Sequence, residues 1–359
     1  NVFAFEDLKS VIKFLEGENQ ADAITENTNL GVRTDYPVDF SDVKGQDVLI
    51  EYIVVAAAGG HNMLMVGTPG CGKSMIAKRI PTILPKMSEE EALEVTKIYS
   101  VAGLLKSRGN LITQRPFRAP HHSASLNSLI GGGNNAMPGE VSLAHNGVLF
   151  LDEVAEFSKK TLDALRQPIE DKKVTIARVN STNIYPSNFM FISAMNPCPC
   201  GYYGTSKCKC TDYEVINYRQ KISGPILDRI DIQKYVHPVD FIELTDDKKG
   251  ISSKELRERV EKARDIQKLR YKDIKGINCN AQMTSELIKE YCELENDSKE
   301  LLRKAYDKYG YSARTYDKFL KVARTFADLD GSTNIRKKDI ANVLLSRDLD
   351  KEKTRMYTV

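Results

Sequence analysis

No stretch of this chain approaches the roughly 18 consecutive apolar residues that a membrane-spanning helix needs. A secretory leader is also missing: the chain begins Asn1-Val2-Phe3, without an initiator methionine and without a basic region running into an apolar core. It reads as the cut edge of a longer chain, and a cytoplasmic protein without membrane contact is expected. Charge of one sign is not in excess either, with 52 basic against 49 acidic residues and a formal net charge of +3. That balance is too mild to imply nucleic acid by itself, so any DNA-binding surface has to be local. There is no internal repeat and no low-complexity run. The absence of a basic motif interleaved with aromatics, and of a zinc-finger helix, argues against sequence-specific DNA reading.

What is present is ordinary for a globular protein: 41% hydrophobic and 28% charged residues in 359 positions, enough for two domains and part of a third. Leu8, Val11, Ile12 and Leu15 recur at helical spacing and predict one short amphipathic helix. Residues 17–38 are polar and read as a linker. From about residue 39 to 240, short apolar runs bounded by turn residues alternate with helical patterns. Met63 to Val66, Val148 to Leu151 and Phe189 to Ile192 are such runs, as buried parallel strands should be. The prediction is a three-layer α/β domain with a parallel sheet. From about residue 254 the pattern is helix after helix, with Leu320, Ala323, Phe326 and Ala327 on one apolar face and Ile340, Val343 and Leu344 on another. The expected division is residues 1–38 as the end of an upstream domain plus linker, 39–245 as the α/β domain and 246–359 as a smaller all-helical domain.

The run Gly67-Thr68-Pro69-Gly70-Cys71-Gly72-Lys73-Ser74 follows an apolar strand and precedes a helical pattern at Met75, which is the context a phosphate-binding loop requires. Its glycines let backbone N–H groups turn inward around phosphate, and the helix start adds positive partial charge. Lys73 is placed to reach the β- and γ-phosphates of ATP, and the Ser74 hydroxyl to ligate Mg2+. A chance glycine-rich turn is the competing explanation, and the flanking elements argue against it. The strand Val148 to Leu151 ends in Asp152-Glu153, which suits a magnesium-binding carboxylate followed by a general base for the attacking water. Asn196, after another strand, stands where a polar side chain meets the γ-phosphate; on spacing alone an ordinary turn asparagine fits equally well. Arg229 and Arg314 are cations of the kind presented to a γ-phosphate, although composition does not separate them from surface arginines.

Four of the seven cysteines, Cys198, Cys200, Cys208 and Cys210, crowd into one short segment. In a chain without a secretion signal such crowding suggests metal before disulfide, and four thiolates at this density suit a structural zinc site. The C-x-C spacing is less usual than C-x-x-C, and a loop of reduced thiols is the alternative. His121 and His122 have no acidic or cysteine partner at ligand spacing and read as structural or pore-facing. The stretch Lys254 to Lys275 pairs Glu258 with Lys262 and Glu261 with Arg264 at helical spacing, and is expected to be a solvated helix face rather than a DNA surface.

The order of these motifs resembles a known family. With the phosphate loop come Arg115-Pro116-Phe117-Arg118-Ala119-Pro120-His121-His122, Gly131-Gly132-Gly133, Pro138-Gly139-Glu140, Leu165-Arg166-Gln167-Pro168, Asn196-Pro197-Cys198-Pro199-Cys200-Gly201 and the stretches Ser223 to Ile232 and Ser312 to Leu329. Over roughly residues 40–350 the chain is similar to the magnesium-chelatase-like AAA+ proteins of the ComM/YifB type. The resemblance implies an AAA+ core and helical lid working as a ring, commonly a hexamer. It makes Asn196 sensor 1, Arg229 the arginine finger and Arg314 the sensor 2 arginine. It also implies an insertion at about 118–140 and a β-hairpin at about 172–188, carrying Lys172, Lys173 and Arg178, that project toward the pore and form the surface for DNA contact without sequence specificity. Members of the family carry a Lon-protease-like domain upstream, to whose end the Val2 to Leu15 helix is similar, so the resemblance implies a truncated chain. Two activities compete at this level: ATP-driven DNA branch migration or translocation, and a chelatase-type motor that remodels a protein partner for metal insertion. The cysteine cluster and the trace of a Lon-like domain favour the first. A nucleotide-binding regulatory module with little turnover is disfavoured by the complete motif set.

Overall fold

The computed structural model describes residues 3, 5, 7–21, 23, 36–105, 111–133, 135–177, 182–240, 242–243 and 250–350. Arg178 and the expected division at 245–246 lie outside them.

Among the described residues nine strands run in chain order: β1 Met63–Gly67, β2 Phe117–Arg118, β3 Gly131–Gly132, β4 Met137–Pro138, β5 Val148–Leu151, β6 Lys173–Ala177, β7 Thr182–Pro186, β8 Met190–Met195 and β9 Ile232–Val236. Five of them form one parallel sheet in the order β2-β5-β8-β1-β9. The central strands read as unbroken apolar runs because both faces are covered. Along β1, Met63 and Met65 enter one buried cluster while Leu64 and Val66 enter the other. In β5, Val148 and Phe150 divide from Leu149 and Leu151 in the same way. This strict alternation is the signature of three layers, as the sequence predicts.

The helical C-terminal region follows, with helices Ser253–Arg270, Ser285–Tyr291, Asn296–Tyr309, Ala313–Leu329 and Lys337–Leu345. Its apolar residues Val260, Phe319, Val322 and Ile340 belong to the same buried cluster as Ile53 of the helix Asp47–Gly59 and Phe150 of the sheet. The helical region therefore shares the core on one face of the sheet.

The helix expected to be a solvated face departs from expectation. Neither Glu258–Lys262 nor Glu261–Arg264 pairs; instead Arg257 Nε donates to Thr82 O at 2.8 Å and Arg264 Nη2 to Ala57 O at 2.9 Å. Arg259 forms a bidentate pair with Glu51 at 2.8 and 2.7 Å. Three of its cations are thus spent on the α/β part, because the helix packs against the helices Asp47–Gly59 and Ile80–Ile83.

The two segments that the resemblance makes insertions pack against each other. Strands β6 and β7 make the expected antiparallel hairpin, and Tyr185 Oη donates to Ala136 O at 2.9 Å in the other insertion. A bidentate pair, Arg118 with Glu140 at 2.5 and 2.6 Å, closes the base of that insertion. Lys173, Thr175 and Ile184 are exposed on the hairpin, with Ile184 at 62% exposure. Lys172 differs from its neighbour. It is half-buried at the left-handed end of the helix Arg166–Asp171, and burial lowers its ammonium pKa.

Candidate functional site

In a parallel sheet, the loops after the carboxyl ends of the strands share one edge of the molecule. The phosphate-type loop follows β1, Asp152 and Glu153 follow β5, and Asn196 follows β8, and these three strands are neighbours. The sequence therefore needs only strand lengths and order to bring together residues that lie far apart in the chain.

The loop bends through Gly70 and Gly72, at φ +79° and +91°, where a side chain would be strained. The helix after it starts at Lys73, two residues before the Met75 start expected from the apolar pattern. Lys73 is buried, and its ammonium donates to Gly67 O at 2.7 Å, Thr68 O at 3.0 Å and Asn196 Oδ1 at 3.3 Å. Ser74 Oγ donates a short hydrogen bond to Asp152 Oδ2. The other carboxylate oxygen of Asp152 accepts from Glu153 N at 3.0 Å. Burial pushes the Cys71 thiol pKa up, against the effect of Lys73 beside it, so no thiolate competes with phosphate there. A buried cation, a hydroxyl paired with a carboxylate, an amide and a second, exposed carboxylate thus stand together at one edge of the sheet. That set can neutralise a polyphosphate and polarise a water.

Glu153 itself sits at φ +49°, in the left-handed region. Its carboxylate lies 3.6 Å from His122 Nδ1. Sequence spacing shows no partner for His122; the structure supplies one because the insertion after β2 lies beside the end of β5.

Arg229 and Arg314 are not brought to this set. Arg229 donates to Pro225 O at 2.7 Å and pairs with Glu170. Its carbonyl accepts from Asn62 Nδ2 at 2.8 Å, which fixes it at the amino end of β1. The phosphate-type loop leaves the opposite end of that five-residue strand, about 16 Å away at ~3.3 Å per residue. An arginine side chain cannot span that gap, so Arg229 does not reach the loop of its own chain. Arg314 is exposed in the first turn of the helix Ala313–Leu329 and, among the described residues, makes no ion pair.

The four cysteines come together just beyond Asn196. Sγ of Cys198 lies 3.3 Å from that of Cys200 and 3.9 Å from that of Cys208, and all four sulfurs are within 4.8 Å of one another. A tetrahedral ion with metal–sulfur bonds of about 2.3 Å sets its sulfurs about 3.8 Å apart, so the cluster has the dimensions of a four-thiolate centre. The Lys209 and Tyr202 amides hold the Cys200 thiol pKa down to about 6, whereas at Cys208 and Cys210 a backbone hydrogen bond is outweighed by burial and the neighbouring sulfurs, which raise it. Gly201 within the cluster, at φ +85°, lies against Pro69: a Cβ there would stand 2.8 Å from the proline ring. The cysteine loop and the phosphate-type loop are in direct contact.

Comparison with known proteins agrees with the motif order. Residues 39–244 match the family described as magnesium chelatase, subunit ChlI, and residues 250–347 match the C-terminal part of that subunit. The chain is 40% identical over 351 residues to competence protein ComM of Haemophilus influenzae, covering 96% of this chain and 67% of that protein. It is 39% identical over 345 residues to uncharacterized protein YifB of Escherichia coli, again with 96% and 67% coverage. A magnesium-chelatase 67 kDa subunit of Chlorobaculum parvum is 22% identical over 167 residues, 45% of this chain and 23% of that protein.

Proposed function

This chain belongs to the magnesium chelatase subunit ChlI family, and on that premise we propose that it is a ring-forming AAA+ ATPase that couples ATP hydrolysis to DNA remodelling of the branch-migration or translocation kind. The observation that carries the reading is the convergence of Lys73, Ser74, Asp152 and Asn196 at the carboxyl ends of three neighbouring strands. Lys73 exchanges its loop carbonyls for the β- and γ-phosphates. Glu153 takes a proton from the water that attacks the γ-phosphorus, and ADP and phosphate leave. Asn196 orients that water. Ser74 and Asp152 are the residues that hold Mg2+, whose chemistry when bound is to neutralise phosphate charge.

Arg229 acts on the nucleotide of a neighbouring copy, since it cannot reach its own, and Arg314 acts as the lid's sensor. The ring is a hexamer. The hairpin β6–β7, with Lys173 and Ile184 outward, is the DNA contact. The four cysteines hold a structural zinc ion that stiffens the turn after Asn196.

The test is steady-state ATPase activity of the full chain with and without branched or single-stranded DNA at modest salt. Stimulation and DNA binding are expected. Basal turnover without either result retains the ATPase and removes the DNA role, leaving a chelatase-type motor as the reading to pursue.

A further inference from the structure

Residue Asn62, immediately before β1, is 9% exposed and bonds in three directions. Its Nδ2 donates to Arg229 O at 2.8 Å, while its Oδ1 accepts from Phe191 N of β8 at 2.9 Å. Its backbone N donates to Asp231 Oδ2 at 2.9 Å, and its carbonyl accepts from Asp231 N at 3.0 Å and Ile232 N at 3.1 Å. The side chain must donate on one side and accept on the other. A carboxamide does both; a carboxylate or an aliphatic group of similar size does not.

The segment it holds is fixed from the other side as well. Ile230 O accepts from Lys318 Nζ at 3.3 Å and from Arg347 Nη1 at 3.0 Å, and Asp231 O lies 3.5 Å from the same Arg347 nitrogen. Three consecutive carbonyls, those of Arg229, Ile230 and Asp231, are therefore claimed by side chains from elsewhere. Only the carbonyl of the arginine itself depends on Asn62. The strands that Asn62 joins are the two whose far ends carry the phosphate-type loop and Asn196.

We propose that Asn62 is a positioning residue for Arg229: its carboxamide fixes the arginine backbone to the starts of β1 and β8, so that the guanidinium is presented at a set point to the neighbouring copy. This inference rests on the reading of Arg229 as acting across a subunit boundary. Asn62 touches no nucleotide. Its loss frees the Arg229 carbonyl and lets the segment shift, and a misplacement of about 1 Å in a catalytic group costs up to about a hundredfold in rate.

The experiment mixes full-length variants and reads ATPase activity. Asn62→Ala alone is expected to bind ATP as the parent does while kcat falls by about tenfold to a hundredfold. Lys73→Ala cannot use ATP but keeps a properly held Arg229. Mixed with it, Asn62→Ala chains receive a good arginine from their neighbours, and turnover per Asn62→Ala site recovers; a purely structural defect in the Asn62→Ala site is not repaired by a neighbour. Arg229→Ala mixed with Lys73→Ala is the reference. Recovery in both mixtures supports the proposal. Recovery with Arg229→Ala only overturns it and leaves the role of Arg229 intact. Recovery in neither mixture removes the role of Arg229, and the positioning role with it. If Asn62→Ala loses its melting transition or its ATP binding, Asn62→Ser, whose hydroxyl is too short to bridge Arg229 O and Phe191 N together, takes its place under the same outcomes.

Discussion

Glu153 combines a left-handed backbone with a carboxylate 3.6 Å from the His122 imidazole. Its replacement isolates the proton-transfer role, because glutamine keeps the shape and the backbone. Glu153→Gln is expected to retain ATP binding and to lower turnover by about a hundredfold or more; nucleotide-binding titration beside a phosphate-release assay checks it, and unchanged turnover removes the base role. A second residue-scale expectation concerns pH. Burial works to raise the Asp231 carboxyl pKa, but His61 beside it, Lys318 and the Asn62 N–H outweigh burial and hold it down to about 2. A depressed carboxyl contributes stability that is complete above its unfolded pKa near 4 and is lost as pH falls through about 2. Asp231→Asn is therefore expected to melt lower than the parent at pH 6, by something on the order of 2 kcal/mol, with the gap closing between pH 4 and pH 2. A gap that stays constant down to pH 2 contradicts it. At this scale, legibility in the sequence follows contiguity. The phosphate-type loop is readable because backbone N–H groups, glycines and lysine must be adjacent to do their chemistry, and Asp152 and Glu153 because a strand end presents them together. Asn62, His122 and Glu170 are not readable, since each acquires its partner from a distant part of the chain.

At the scale of elements, strand existence and order are what the sequence signals well. The run Val148 to Leu151 is a strand within those limits, and the run begun at Phe189 is a strand displaced to Met190–Met195. The displacement places Asn196 directly at the strand end. The helix Ser253–Arg270 shows the converse, because charge spacing alone cannot tell an i,i+4 pair from a cation that reaches another element. The cysteine loop is legible as a cluster, but its contact with Pro69 is not. That contact makes a prediction. Gly201→Ala puts a methyl group against the proline ring at a positive φ, and is expected to cost about 1 kcal/mol of stability or somewhat more and to weaken ATP binding. Thermal melts with calorimetric titration of ATP check both, and unchanged affinity means that the two loops are energetically independent. Metal analysis addresses the same loop: the purified, reduced protein is expected to carry one zinc per chain, and Cys208→Ser with Cys210→Ser none. Parent protein free of zinc under those conditions rules out the staple.

At the scale of the whole molecule, the sheet separates two functions. The nucleotide-type set occupies the carboxyl edge and Arg229 the amino edge. Arg229→Ala is accordingly expected to leave ATP affinity unchanged and to reduce turnover chiefly in the assembled form, measured across a concentration series that spans association; an equal loss at dilutions where only monomer is present contradicts action on a neighbour.

The position of β1 between β8 and β9 has a consequence for how the chain is made. Strand β1 precedes every other strand of its sheet in the chain, and its two sheet neighbours lie 129 and 169 residues later in the pairs Met63 with Ile192 and with Ile232. An emerging polypeptide that ends before Ile232 carries β1, apolar from Met63 to Val66, with one hydrogen-bonding edge open, an invitation to pair with another chain. Completion of the sheet thus waits on β9, the strand that follows Arg229 directly in the chain.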